Sequence, residues 1–296
     1  MILSVACKNP ILSNKQLHTD NQDIKALIIK NSDCSQYLMY VCIAKSPKGI
    51  LMTDNYRAQT ESRKKVADLN NQFATVSPKE IIEWAIDHFG DKIALSSSMS
   101  AEDQAILHML LESKKQFRVF TLDTGRLFPE TYDLIDITTK KYGITIQVFF
   151  PDKQQVEEMV NEKGINLFYE SIENRKRCCE IRKVEPLRRA FKGLDAWISG
   201  LRKQQSLTRN NTGLFEWDDK FDLIKINPLI NWSEEDLWDY IHKHNIPYNP
   251  LHKKGFPSIG CQPCTRAIQP DEDIRAGRWW WENPETKECG LHFSKL

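Results

Sequence analysis

The sequence predicts an α/β protein organised on a doubly wound parallel sheet. From about residue 61, short apolar runs alternate with helical segments, which is the pattern of strands joined by crossover helices. Two loops of small or polar residues, 96–103 and 123–125, each follow one of these apolar runs. Ligands bind beyond the carboxyl ends of the strands in such sheets, so both loops are expected at one ligand site.

The first helix of this region has a complete start signal. Ser77 supplies an N-cap, Pro78 suits the first helical position, and Glu80 completes a capping box before the apolar stripe 81–89. Residues 92–96 then predict a short buried strand, and residues 104–110 predict a helix. The serine-rich turn between them is more often a plain loop, but next to a helix N-terminus its amides form a cradle for an anion.

The alternation continues to about residue 241. The sequence predicts strands over residues 117–122, 144–150, 196–200 and 223–229, and helices over residues 129–142, 156–163, 181–190 and 233–241. In the basic helix 181–190, Arg188 and Arg189 are expected on the surface. For Lys183, a surface position and a contact with nearby thiolates are about equally open. The residues after strand 196–200 combine cations with backbone amides, which suits a phosphate or a sulfate.

Two cysteine pairs carry a metal-site signal. Cys178 and Cys179 are adjacent, and Cys261 and Cys264 form a C-x-x-C pair. Two adjacent thiolates reach different irons of a polynuclear cluster more easily than they reach one tetrahedral ion. The two pairs therefore predict an iron–sulfur cluster site.

A structural zinc site is the main alternative for these cysteines. Four thiolates also suit zinc, and a C-x-x-C pair alone more often marks a zinc or redox site. Zinc ligands within a pair are typically separated by about two to four residues, which is not the case for Cys178 and Cys179. The adjacent pair therefore favours the cluster.

Cys289 has no ligand role in this scheme and is the candidate nucleophile. It lies on a tail that begins with Arg275 and ends near His292, and positive charge near a thiol favours the reactive thiolate. A lone cysteine near a terminus is usually inert, so the assignment depends on these neighbours. The tryptophan run 279–281 favours packing of the tail onto the sheet over an exposed stacking platform.

Composition limits the classes of function. The chain has 41 basic and 40 acidic residues, so a general nucleic-acid binder is not expected. Apolar runs such as 37–44 are too short to cross a membrane, and eight cysteines without a signal peptide predict a reducing, cytoplasmic location. Residues 1–60 form an extension without a functional signal, and Cys7, Cys34 and Cys42 are expected to be ordinary apolar residues. The sequence leaves open whether the chain forms a homo-oligomer.

Together these motifs resemble those of the phosphoadenylyl- and adenylyl-sulfate reductases, over about residues 64–292. The matching segments are 96–104, 122–132, 178–179, 182–187, 200–202, 257–266, 276–282 and the Glu-Cys-Gly-Leu-His sequence that ends at His292. The resemblance is to the branch with both cysteine pairs. It implies a 4Fe-4S cluster, a preference for adenosine 5′-phosphosulfate, and the adenine-nucleotide alpha-hydrolase (PP-loop) type of the predicted fold with a C-terminal catalytic tail.

The resemblance also implies roles for individual residues. It implies catalysis by Cys289 and His292, and a cluster held by the four paired cysteines. The implied substrate-binding residues are Ser96, Ser98, Asp103, Leu122, Thr124, Lys183, Gly200, Arg202, Arg275 and Arg278. Ser100 stands where family members often have glycine, which predicts an altered phosphate turn.

The resemblance implies a reaction in two steps. The Cys289 thiolate attacks the sulfur of adenosine 5′-phosphosulfate and releases AMP, and an external thioredoxin or glutaredoxin then releases sulfite. The corresponding organisation is an extension over 1–60, a reductase domain over 61–274 and a catalytic tail over 275–296. The alternatives are a reductase that accepts the 3′-phosphorylated nucleotide, alone or as well, and more distantly a PP-loop ATP pyrophosphatase or nucleotidyltransferase that has no use for the cysteines.

Overall fold

The computed structural model describes the backbone of residues 11–19, 22–30, 54–206, 209 and 211–283, and the side chains from residue 60 onward within those ranges. The chain divides into two compact units, Met1–Glu61 and Ser62–Leu296. In the first unit, strands β1 (Ile11–Thr19) and β2 (Gln22–Lys30) pair antiparallel. The apolar run 24–29 lies within β2, whereas the run 37–44 lies outside the described residues.

Helix α1 (Asp54–Gln72) leads into the second unit. The elements that follow are α2 (Pro78–Phe89), β3 (Ile93–Ser97), α3 (Ala101–Glu112), β4 (Arg118–Leu122), α4 (Pro129–Tyr142), β5 (Gln147–Phe149), α5 (Lys153–Lys163), α6 (Ile172–Cys179), α7 (Glu185–Ala190), β6 (Ala196–Ile198), β7 (Phe215–Asp218), β8 (Leu223–Ile226) and α8 (Glu234–Lys243). None of the described helices is long and apolar enough to cross a membrane.

The second unit contains a six-stranded sheet with the order β5-β4-β3-β6-β8-β7. All neighbouring strands are parallel except β7, which pairs antiparallel with β8. The predicted doubly wound sheet is therefore confirmed. From β3 the chain first builds outward through β4 and β5, and it then returns to the other side of β3 with β6. The crevice between the carboxyl ends of β3 and β6 is the switch point at which ligands bind in this architecture.

Helices cover both faces of the sheet. On one face α2, α3 and α8 bury apolar residues such as Ile82, Ile106 and Leu237 against β3, β6 and β8. On the other face Leu187 of α7 packs in a cluster with Phe120 and Trp197. Because the two helical layers hold the strands from both sides, the loops at the carboxyl edge are placed on a rigid frame.

The predicted helix 181–190 differs from the observed one. Residues Glu180–Val184 form a single π-helical turn between α6 and α7. Pro186 has no N–H and cannot continue the α-helical hydrogen bonds, so the turn before it widens. The cysteine pair is therefore joined to α7 by a π-turn and not by a regular α-helix. Arg188 and Arg189 are exposed, as predicted.

Candidate active site

A cavity of about 390 Å³ opens at the switch point, beyond β3, β4 and β6. The ten residues predicted to bind substrate all line this one cavity: Ser96, Ser98, Asp103, Leu122, Thr124, Lys183, Gly200, Arg202, Arg275 and Arg278. Their positions span 183 residues of sequence, from 96 to 278, counted inclusively. The fold therefore brings together residues from three post-strand loops, the π-turn and the C-terminal segment.

The serine loop is shaped by side chains that bond to its own backbone. Ser100 is the N-cap of α3, with φ −69°, and its hydroxyl accepts from the amide of Asp103. Serine is thus compatible with this position, and no glycine is needed there. Met99, and not Ser100, adopts the left-handed conformation, with φ +61°. The Ser97 hydroxyl accepts a hydrogen bond from the Met99 amide at 3.1 Å. A buried non-glycine residue in this region indicates a turn held in place by its surroundings.

Asp103 fixes the other side of the loop. Its carboxylate accepts hydrogen bonds from the amide of Ser98 at 2.7 Å and the hydroxyl of Ser98 at 2.8 Å. Burial raises the pKa of Asp103 from 3.8 to about 6, although the bonds from Ser98 act in the opposite direction. The loop therefore carries a carboxyl group that changes charge near neutral pH.

Stability should depend on the charge of Asp103. Its pKa is raised in the folded state, so the folded protein retains a proton that the unfolded chain loses above pH 3.8. We expect wild type to lose stability relative to Asp103→Asn as pH rises from 4 through 6, by up to about 3 kcal/mol in total. Thermal unfolding of both proteins at a series of pH values measures this difference. A difference that is constant across this range would contradict the assignment.

Gly200 is required by close packing. A Cβ atom at this position would lie 2.5 Å from Oδ1 of Asp103 and 2.8 Å from Cβ of Glu102. Real Cβ atoms do not approach so closely, so any larger residue must displace the N-terminus of α3. Gly200 thus couples the loop after β6 to the serine loop after β3.

Gly200→Ala should weaken AMP binding by at least about tenfold and reduce the free energy of unfolding by about 1–3 kcal/mol, because such overpacking forces backbone shifts. Isothermal titration calorimetry with AMP measures the first effect. Gly164→Ala is the matched control: Gly164 also ends a structural element, with φ +82°, but a Cβ there meets no atom within 4 Å. The control should lose some stability and retain AMP binding.

Two arginines of the cavity have unsatisfied donors. Arg202 is buried, and its Nε donates to Oε1 of Glu102 at 2.9 Å, while its Nη1 has no hydrogen-bond partner among the described residues. Arg278 is also buried, and its Nη1 donates to the carbonyl of Ile259 at 3.2 Å, while its Nε has no partner within the same set. A buried donor without a partner is costly, and an anionic ligand would satisfy it.

The four paired cysteines line a second pocket. It is also lined by five cationic side chains, namely Arg126, Arg175, Arg182, Lys183 and Arg278. Burial raises the pKa of Cys264 to about 12 and also raises that of Cys178, whereas Lys183 acts on both thiols in the opposite direction. Four neighbouring thiolates would repel one another without a positively charged partner.

This donor set fits an iron–sulfur cluster. All four thiols face one pocket, and the surrounding cations offset the negative charge that a thiolate-bound cluster carries. Within the described part of the chain, no three His, Cys, Asp or Glu side chains converge closely enough to hold one metal ion. The adjacent Cys178 and Cys179 reach different irons of a cluster more easily than one tetrahedral ion, so this donor set suits a cluster better than zinc.

The cavity at the switch point, called the nucleotide cavity after its ten predicted substrate-binding residues, shares a wall with the cysteine pocket. Lys183, Cys261, Arg278 and Trp279 line both. Lys183 is half-buried, which answers the question that the sequence left open: it faces both pockets. Thr124, in the loop after β4, adds a direct link, since its hydroxyl lies 3.3 Å from Sγ of Cys261.

Residues 275–283 pack against the region between the two pockets. Arg278 forms a β-bridge with Thr265, and Trp279 is buried. Trp279 packs with Met159 of α5 and with Phe168, so the tail contacts the cysteine side of the unit. The predicted packing of the tail onto the sheet is therefore wrong. Cys289 and His292 lie outside the described residues.

A buried ion pair completes the attachment of the tail. Arg175 of α6 donates from Nε and Nη2 to the two carboxylate oxygens of Glu282, both at 2.8 Å, with side chains only 1% and 2% exposed. The guanidinium also lies 4.9 Å from the ring centre of Trp279 and interacts with Cys179. One side chain thus joins the cysteine pair to the segment that leads to Cys289.

Three further residues of the site were missed by the sequence analysis. Arg182 is buried and donates to the carbonyl of Thr124 at 2.7 Å. Arg175 has the contacts just described, and His252 lines the nucleotide cavity. Both arginines lie in a stretch rich in charged residues, for which an exposed surface is the usual interpretation, so the sequence contains no sign of their buried contacts. The Asn-Pro-Leu-His sequence before Gly255 offered a turn signal but no indication of a ligand site.

Comparison with known proteins agrees with this geometry. Residues 92–267 match the model of the phosphoadenosine phosphosulfate reductase domain. The chain is 50% identical to an adenosine 5′-phosphosulfate reductase of Allochromatium vinosum over 202 residues, which cover 68% of this chain and 79% of the relative. It is 45% identical to the chloroplastic 5′-adenylylsulfate reductase 3 of Arabidopsis thaliana, covering 76% of this chain and 50% of the relative.

A solved structure supports the same relationship. The crystal structure of a phosphoadenylyl-sulfate reductase from Candida auris, in a phosphate complex, superposes with a TM-score of 0.60 at 27% sequence identity, covering 74% of this chain and 99% of that one. The matched domain includes the serine loop and both cysteine pairs. The chain therefore belongs to the phosphoadenosine phosphosulfate reductase domain family.

Proposed function

We propose that this protein is an adenylyl-sulfate reductase of sulfate assimilation that uses adenosine 5′-phosphosulfate and an external dithiol protein, thioredoxin or glutaredoxin. The observation that carries the proposal is the shared wall: the anion-binding residues of the nucleotide cavity also border the four-cysteine pocket. The 44–50% identity to proteins named as adenosine 5′-phosphosulfate reductases supports this substrate. A nucleotidyltransferase would give no role to the cysteines.

The proposed reaction transfers sulfur in two balanced steps. The Cys289 thiolate attacks the sulfur of the phosphosulfate, the sulfur–oxygen bond to the phosphate breaks, and AMP leaves with the electron pair. The resulting S-sulfocysteine is then attacked at its Sγ by a thiolate of the dithiol protein, which expels sulfite. The second thiol of that protein resolves the mixed disulfide, so the dithiol is oxidised and the Cys289 thiolate returns.

The cavity supplies the electrostatics of the first step. The phosphosulfate and the thiolate are both anionic, so cations must offset their repulsion before they can meet. Lys183, Arg202, Arg275 and Arg278 line the cavity, and the unpaired Nη1 of Arg202 and Nε of Arg278 are donors that an anion can satisfy. His292 is proposed to assist Cys289 at the reacting end.

Cys178, Cys179, Cys261 and Cys264 are proposed to hold a 4Fe-4S cluster. When bound, the cluster supplies structure and a fixed charge, and no electron transfer is assigned to it. The proposed organisation of the chain remains an extension over 1–60, a reductase domain over 61–274 and a tail over 275–296 that presents Cys289.

Lys183 is expected to transmit the charge of the cysteine pocket to the nucleotide cavity, because it lines both. Lys183→Ala should lower kcat/KM by about a hundredfold, as expected for loss of a charged transition-state contact. The matched control is Lys192→Ala, an exposed lysine beyond the end of α7 that should leave turnover unchanged. Wild-type turnover in Lys183→Ala would refute the link.

The experiment that tests the proposal is anaerobic purification followed by iron and sulfide analysis, incubation with adenosine 5′-phosphosulfate, and intact mass measurement. We expect about four irons per chain and a sulfite-sized adduct on Cys289 that a reduced thioredoxin removes. A zinc-containing protein without an adduct would reject the proposal. Substituting the 3′-phosphorylated nucleotide in the same assay separates the two sulfonucleotide preferences.

A further inference from the structure

His252 lines the nucleotide cavity with an unused hydrogen-bonding atom. Its Nε2 is buried and has no hydrogen-bond partner among the described residues. A hydrogen bond with the backbone of Phe256 raises the pKa of the ring, which indicates that the other nitrogen, Nδ1, donates to that carbonyl. Nε2 is then left as an acceptor in the neutral ring. Burial, the largest influence, lowers the pKa of His252 and so favours this neutral form.

The ring is held firmly in place. His252 lies in the helical turn Pro250–Lys254, which is capped by Asn249. Asn249 is buried, and its amide donates to the hydroxyl of Thr131, at the start of α4, at 3.1 Å. The His252 ring also meets the Trp238 ring edge-on, with centres 5.2 Å apart. Because the ring is held in place and buried polar atoms are normally hydrogen-bonded, Nε2 of His252 is positioned to accept a hydrogen bond from a ligand.

His252 and Lys183 reach the cavity from opposite faces of the sheet. Lys183 adjoins α7, whose Leu187 packs on one face of the sheet, whereas His252 packs on α8, which covers the other face. Two acids, Glu102 and Glu234, act on His252, and Glu102 is itself paired with Arg202. The neutral Nε2 can only accept a hydrogen bond, so this position is suited to a neutral donor and not to an anion.

We infer that His252 is a specificity residue whose Nε2 accepts a hydrogen bond from a neutral N–H or O–H group of the adenosine moiety. The inference rests on the proposed nucleotide function and deepens it. Adenosine offers three such donors: the exocyclic amine and the two ribose hydroxyls. If the partner is the 3′-hydroxyl, a 3′-phosphate removes the donor and places acceptor oxygens against the acceptor Nε2.

The test is calorimetric binding of AMP and four analogues to wild type, His252→Ala and His252→Gln, all in the full-length holoprotein. The analogues are purine riboside monophosphate, 2′-deoxy-AMP, 3′-deoxy-AMP and adenosine 3′,5′-bisphosphate, and none of them turns over. His252→Ala should bind AMP about tenfold more weakly, since one buried hydrogen bond is lost. The analogue without the contacted donor should bind wild type and His252→Ala equally well.

Two further variants test whether the loss of affinity comes from the missing hydrogen-bond acceptor at His252. His252→Gln keeps an acceptor near the position of Nε2 and should recover most of the AMP affinity. His242→Ala is the matched control, because His242 is exposed and stacks on the same Trp238 ring, with centres 5.8 Å apart, without lining the cavity. This control should bind every ligand as wild type does.

Three outcomes would overturn the inference. If His252→Ala binds AMP as tightly as wild type, or if its losses are the same for all analogues, no donor contacts Nε2 and the residue has only a structural role. The proposed function would survive either result, since wild type still binds AMP. If wild type itself fails to bind AMP, the nucleotide function and the inference fail together.

Discussion

Cys289→Ser is expected to reduce sulfite release by about a thousandfold or more while AMP binding stays unchanged, because a hydroxyl cannot replace the thiolate nucleophile at neutral pH. All ten predicted substrate-binding residues line the nucleotide cavity, so these contacts are expected to remain when the Cys289 thiol is replaced. Turnover assays with calorimetry on the same preparation measure both effects. The cluster content should also be retained.

The other cysteines provide the controls. Cys34 lies in the extension, so the Cys34→Ser protein should retain full turnover. Cys264→Ser should lose iron and turnover together, since Cys264 is the most buried thiol of the pocket. A Cys289→Ser protein that still releases sulfite at the wild-type rate would assign the nucleophile elsewhere.

Arg175→Ala is expected to lower the free energy of unfolding by about 3–5 kcal/mol, because it leaves the buried Glu282 carboxylate unpaired. For a unit of this size the thermal midpoint should fall by about 10 °C. The change should also slow adduct formation at Cys289 more than it weakens AMP binding, since Glu282 anchors the segment that leads to this proposed nucleophile. Thermal unfolding and single-turnover mass measurements test the two effects.

An exposed ion pair of the same residue types is the matched control for Arg175. Arg188 and Glu180 are 57% and 49% exposed, so Arg188→Ala should change stability by less than about 1 kcal/mol. A double replacement of Arg175 by Met and Glu282 by Leu should recover stability but not the interaction with Cys179. Equal effects of Arg175→Ala and Arg188→Ala would show that the buried pair does not anchor the tail.

Elements with local signals were predicted well from the sequence. Helix α4 begins and ends where predicted, because Pro129 suits its first turn and Gly143 ends it in a left-handed conformation, with φ +64°. Strand β7 was not predicted. It is a short edge strand that includes Glu216 and Asp218, so its residues show no apolar run.

The residues of the candidate site that belong to a local sequence motif could be predicted from the sequence. The serine loop, Gly200 and the cysteine pairs have distinctive sequence patterns, and the fold brings them to one edge. The pairing of Arg175 with Glu282 joins residues 107 positions apart, and no local pattern encodes such a contact. The same holds for His252, whose role depends on the cavity that distant elements form around it.

The shared wall also has a consequence for an organism that meets oxygen. Iron–sulfur clusters are destroyed by oxidants, and here Lys183, Cys261, Arg278 and Trp279 belong to the cysteine pocket and to the nucleotide cavity at once. Loss of the proposed cluster would therefore disturb one side of the cavity as well. Exposure to oxygen is thus expected to weaken nucleotide binding until the proposed cluster is rebuilt.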